Sequence, residues 1–182
     1  FTKKIGGDHV DVKSVFPAGA DAHTFEPSAK TMSEMASADA FIFTGVGVEG
    51  FADKAKEVLG NEDVKIVGAA EGIELRPEGG ESDHDAHGDE HSDEAHDEEH
   101  GDEHTQDGHE EHDHSNGDPH VWLDPTLSIT LAENIKNALV ELKPEAKEDF
   151  EANFETLKAD LEKLDTEFKE TVDSAKTKKL LV

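Results

Sequence analysis

The sequence predicts an α/β fold: an N-terminal lobe built on a parallel sheet with flanking helices, then a long spine helix leading toward a second lobe that is mostly absent. Three observations predict it. Short apolar runs near residues 10–16, 39–45 and 64–68 alternate with helical patterns, which is the signature of a parallel sheet. Two sustained helical stripes occupy the last third of the chain. Between the last short run and the first stripe, residues 79–118 have no apolar side chain larger than alanine and cannot build part of a core.

The elements follow in order. Ile5 to Gly7 closes a helix at a glycine stop. Val10 to Phe16 alternates apolar and polar residues, the period of a strand, which Pro17 and Gly19 end. The loop from Ala18 to Glu26 carries His23, placed beyond the end of that strand on the ligand-binding edge of the sheet. Ser28 caps a helix with Met32, Met35 and Ala36 on one face. Residues 39–45 read as a fully buried parallel strand, Val48 to Leu59 as a helix stopped by Gly60, and Val64 to Gly68 as a third strand. Residues 79–118 read as a disordered insertion. A helix from Thr126 or Ser128 carries Leu127, Leu131, Ile135, Leu139 and Leu142. Pro144 interrupts it. A helix of roughly 30 residues, about 45 Å long, then runs to Ala175 with a stripe of Phe150, Phe154, Leu157, Leu161, Leu164 and Phe168. The expected domains are a lobe over 1–143, a linking helix over 144–177 and the start of a second lobe over 178–182. Both ends read as truncated: the chain opens at the end of a helix and stops where a strand begins.

Charge and composition exclude several classes. The 182 residues carry a formal net charge of -28, of which residues 81–118 supply -17. Such an acidic surface repels nucleic acid and anionic membrane and gathers cations. No stretch reaches the roughly 20 apolar residues that span a bilayer. There is no cysteine, so a metal here is held by imidazole and carboxylate.

Histidine placement carries the chemistry. Residues 81–118 hold nine histidines (His84, His87, His91, His96, His100, His104, His109, His112 and His114) among seventeen Asp and Glu, with no Lys or Arg. So many imidazoles beside carboxylates bind zinc weakly at several sites, and lose it as they protonate. His109-Glu110-Glu111-His112 has the wrong spacing for the HExxH zinc-protease motif. His120 lies in Asp118-Pro119-His120-Val121-Trp122-Leu123-Asp124-Pro125, bracketed by prolines and next to the only tryptophan. His23 lies in Pro17-Ala18-Gly19-Ala20-Asp21-Ala22-His23-Thr24-Phe25-Glu26-Pro27, a loop restrained in the same way. Asp118 and Asp124 stand within reach of the His120 ring, and Asp124 is also placed to cap the following helix. His9 reads as a surface histidine. The glycines of Gly45-Val46-Gly47-Val48-Glu49-Gly50 fit neither phosphate-binding pattern and read as a strand-to-helix turn.

The two proline-bracketed motifs, with the acidic histidine-rich run before the second, resemble those of the zinc/manganese solute-binding proteins of ABC transporters, the ZnuA/TroA family, in its zinc type. The resemblance covers nearly the whole chain. It implies two α/β lobes joined by a long helix, with the metal between them and its first two ligands on His23 and His120. The family's first strand, and the second lobe with its further ligands, lie outside this chain, and Ala22 stands where some zinc members have a glutamate. The implied protein is not an enzyme. It is an extracytoplasmic component, periplasmic or lipid-anchored after removal of a signal peptide, that captures Zn²⁺ and passes it to a membrane permease, and it is a monomer when complete. The histidines from His84 to His114 are accessory sites. The alternatives are a manganese-binding member, a zinc buffer acting through the loop, and a metallohydrolase, for which no general base is evident. Nitrogen donors favour zinc over manganese.

Overall fold

A computed structural model describes residues 1–76 and 117–177. The histidines from His84 to His114, the disordered insertion and the expected second-lobe start at 178–182 lie outside the described residues. Two units are distinguished: Phe1–Leu75 with the chain from Pro119 onward, and Arg76–Asp118. In the second, the Asp118 N–H donates to the Arg76 carbonyl at 2.8 Å, joining the two ends of the histidine-rich segment.

The first unit contains helices α1 (Thr2–Gly6), α2 (Ala29–Met35), α3 (Ala52–Leu59), α4 (Pro125–Leu142) and α5 (Lys147–Ser174), and strands β1 (Ala40–Phe43) and β2 (Lys65–Gly68). The strands pair in parallel with Phe41 opposite Ile66. Ser28 and Asp124 cap α2 and α4 with their side chains, as the sequence predicts. Pro125 follows Asp124 at the first helical position, where its missing N–H costs nothing.

Two apolar clusters hold the unit. One joins Ile5 of α1, Leu131, Ile135 and Leu139 of α4, and Phe150, Phe154, Leu157 and Leu161 of α5. The other gathers Met35, Phe41, Phe51, Ala55 and Leu59 around α2, β1 and α3. Side chains tie backbone across elements. Asn134 donates to the carbonyls of Ala69 and Glu71 at 2.8 and 2.9 Å, fastening α4 to the chain leaving β2. Asn153 donates to the Ile5 carbonyl at 3.0 Å. The Lys4 ammonium bonds to Asp160 and holds that carboxyl below its usual range, but both groups are exposed and the pair adds little stability.

Several expectations are corrected. Val10 to Phe16 is not a strand, and the sheet of the described residues has two strands, not three. Val10 is extended (φ -133°, ψ 144°), and Val15 and Phe16 pack on the second cluster. Val10 instead packs on the first cluster and Val12 is exposed, so the alternation does not mark one buried face, and neither β1 nor β2 supplies the ladder that a strand needs. His23 thus does not follow a strand directly. β1 is not fully buried: only Phe41 is, and its neighbours are half-buried. α3 begins at Ala52, not Val48, because Glu49 turns back and its Oε1 accepts from the Thr44 N–H and hydroxyl, each at 2.8 Å. The apolar stripe of α5 is buried only to Leu161. Leu164 and Phe168 are exposed, because the 18 residues of α4 cover about 27 Å and the 28 of α5 about 42 Å. His9 is a surface histidine, as expected, but a partnered one: its Nε2 lies 2.7 Å from Asp149 Oδ2 and its ring meets Phe150 edge to face.

Two outcomes follow from this packing. Phe150→Ala, at a wholly buried position, should lower stability by about 3–5 kcal/mol in urea unfolding, whereas Phe168→Ala should change it by less than about 1 kcal/mol. Asp124→Ala should cost about 1 kcal/mol and Asp124→Asn should recover most of it, since either side-chain oxygen caps α4.

Candidate metal centre

His120 sits at the entrance to a single 3-10 turn, Val121–Leu123, that feeds α4. The turn is closed by the Leu123 N–H on the His120 carbonyl at 3.1 Å. Its far side is pinned by Ser128, the one buried polar residue among the described residues, whose hydroxyl donates to the Trp122 carbonyl at 3.1 Å. Val121 points into the core beneath, and the Trp122 ring stands edge-on to the His120 ring with centroids 5.3 Å apart. The same indole borders a cavity of about 260 Å³ with Phe43, Thr44, Glu49, Ala69 and Leu131. Glu49 Oε2 is buried and has no hydrogen-bond partner among the described residues.

His23 lies in a turn held from three sides. Asp21 Oδ1 accepts the His23 N–H at 2.8 Å. The Phe25 ring lies against Phe16 and Phe51 at centroid separations of 5.0 and 5.7 Å, which anchors the loop in the second cluster. The His23 carbonyl meets Gly50 so closely that a Cβ there would stand 2.9 Å from it. Gly50 belongs to the chain leaving the carboxyl end of β1. His23 therefore reaches the sheet edge by packing, although no strand leads into its loop. The glycines of this turn also admit a close approach of backbones: Gly45 has φ +92°, and a Cβ on it would stand 3.1 Å from Gly68 Cα.

These loops, nearly a hundred residues apart in sequence, bring the His23 and His120 rings to 5.6 Å between centroids at an interplanar angle of 67°. Two imidazoles on one tetrahedral zinc, each nitrogen about 2.0–2.1 Å away, have centroids about 5 Å apart. The pair is within about half an ångström of that separation. Among the described residues, no group of three or more His, Asp or Glu side chains is placed to hold one metal ion. His9, the remaining described histidine, pairs with Asp149 instead.

Sequence reasoning missed Asp21, Gly50 and Ser128. A signal for Asp21 was present. The loops read Asp21-Ala-His23-Thr-Phe25-Glu-Pro27 and Asp118-Pro-His120-Val-Trp122-Leu-Asp-Pro125, each with an aspartate two before the histidine and an aromatic two after it. Nothing in the local pattern marks Gly50 or Ser128, whose contacts are made with another loop and another turn.

The chain is similar to several known proteins. The zinc-binding lipoprotein AdcA of Streptococcus pneumoniae is 34% identical over 180 residues, which is 98% of this chain and 32% of that protein. The high-affinity zinc uptake system protein ZnuA of Bacillus subtilis is 31% identical over 181 residues, covering 100% of this chain and 50% of that one. The crystal structure of Zn(II)-bound AdcA from S. pneumoniae superposes with a TM-score of 0.72 at 29% identity, over 97% of this chain and 31% of that chain. The chain thus spans between a third and a half of the length of these relatives. The profile of the family described as zinc-uptake complex component A, periplasmic, matches residues 1–182, and the chain belongs to that family.

Proposed function

We propose that this chain is part of the solute-binding component of a zinc ABC importer, which captures Zn²⁺ outside the cytoplasm and delivers it to a membrane permease. The observation that carries the reading is the His23–His120 pair at 5.6 Å, formed by two restrained loops of a chain whose relatives are named for zinc binding and zinc uptake. Neutral imidazoles suit zinc better than manganese, and no thiolate competes. The remaining donors come from the part of the longer protein beyond this chain. Zinc is cargo here, so the site must release it, and a set assembled from separate parts can do that by parting.

The domain reading belongs to the same proposal. Residues 1–143 form a metal-binding lobe, 144–177 the linking helix and 178–182 the start of a second lobe. The exposed side chains of Leu164, Phe168 and Val172 on α5 support it, since an apolar stripe of this kind is costly to leave in water. The family description as periplasmic and the naming of AdcA as a lipoprotein support a place outside the cytoplasm, free or lipid-anchored. No described helix is long and apolar enough to cross a membrane. The protein acts by binding rather than by turnover, as a monomer when complete. The histidines from His84 to His114 raise the local zinc concentration.

Calorimetric titration of Zn²⁺ against a competing chelator tests the reading. The chain should show one specific one-to-one site that survives deletion of 81–116, a cut that keeps Asp118 for its bond to Arg76. His23→Ala/His120→Ala should weaken that site by at least about 100-fold with the loop intact. If the double substitution binds like the parent and the deletion binds nothing, the protein is a zinc buffer working through its loop. Displacement of zinc by equimolar Mn²⁺ would remove the zinc assignment.

A further inference from the structure

We propose that Asp21 is a positioning residue of the metal centre: its carboxylate sets the backbone of His23, and so the direction in which that imidazole leaves the loop. The inference rests on the reading of His23 and His120 as zinc ligands.

His23 is exposed, so burial does not order it. An exposed histidine on a loop ordinarily samples several rotamers and backbone states, and fixing them on binding is unfavourable. Here the backbone is fixed beforehand. Residue 21 holds two amides of the turn: its Oδ1 accepts from the His23 N–H at 2.8 Å, and its carbonyl accepts from the Phe25 N–H at 3.0 Å. Aspartate is suited to this because its short side chain reaches the amide two residues on. Phe25 then carries the anchored side of the turn into the second apolar cluster, and Gly50 meets the His23 carbonyl on the other face. Of these restraints, the bond from Asp21 acts on the His23 peptide itself and is the one a single side chain can remove. Phe25 and Gly50 remain to hold the loop as a whole, so loss of the Asp21 carboxylate loosens His23 without unfolding its surroundings.

The test compares Asp21→Ala, Asp21→Asn and His23→Ala in the full chain. Zinc affinity is read by chelator competition, and His23 amide exchange is read by NMR without metal. Asp21→Ala should weaken the one-to-one site about 10-fold and speed His23 amide exchange by at least about the same factor, with the melting temperature within about 2 °C of the parent. Asp21→Asn keeps an acceptor oxygen at the same place and should restore both readouts to within about threefold. Asp21→Ala binding like the parent overturns the proposal. So does Asp21→Asn binding as weakly as Asp21→Ala, since the charge and not the turn would then matter. If His23→Ala keeps the parent's affinity, the zinc reading itself fails, and this inference falls with it for that separate reason.

Discussion

The seam between α4 and α5 is the interaction on which the rest depends. Lys143 and Pro144 turn the chain back, and Leu131, Ile135 and Leu139 meet Phe150, Phe154 and Leu157 along one line. That packing fixes the axis of α4. The start of α4 carries the capped turn that bears His120, and its middle carries Asn134, which grips the chain leaving β2. β2 holds β1 by its ladder, and the chain leaving β1 meets the His23 loop through Gly50. Each histidine is thus referred to one helix pair, by a direct route in one case and by way of the sheet in the other. Two imidazoles from distant parts of the sequence meet because both routes end at the same edge.

Long-period signals survived the passage from sequence to structure better than short ones. The stripes of α4 and α5 were legible because four or more turns of helical spacing leave little alternative. Asp124 and Ser28 were legible as caps because a cap acts on its own neighbours in the chain. Val10 to Phe16 was misread because a strand is made by a partner that the local sequence does not contain. Leu164 and Phe168 look the same in sequence as Phe150 and Phe154. Only the shorter reach of α4 separates the exposed pair from the buried one. The partner of His9 was not legible for a similar reason, since Asp149 lies 140 residues away.

The candidate centre was legible in its two histidines and not in their supports. His23 and His120 stand out because prolines bracket both loops. The supports work by close approach of backbone, as at Gly50, or by one buried hydroxyl, as at Ser128, and such contacts leave no periodicity. The division matches the chemistry. A metal ligand must be one of a few residue types, whereas a support can be any group of the right size at the right distance.

The contact between Trp122 and His120 has an optical consequence. The chain has one tryptophan and no tyrosine, so its emission under near-ultraviolet light comes almost wholly from one indole. That indole is 40% exposed and its centroid is 5.3 Å from the imidazole proposed to take the ion. A change of charge or coordination on His120 alters the field at the fluorophore directly, with no dye attached. The centre carries its own reporter, blind to events far along the chain and sensitive to the arrival of a cation at its neighbour.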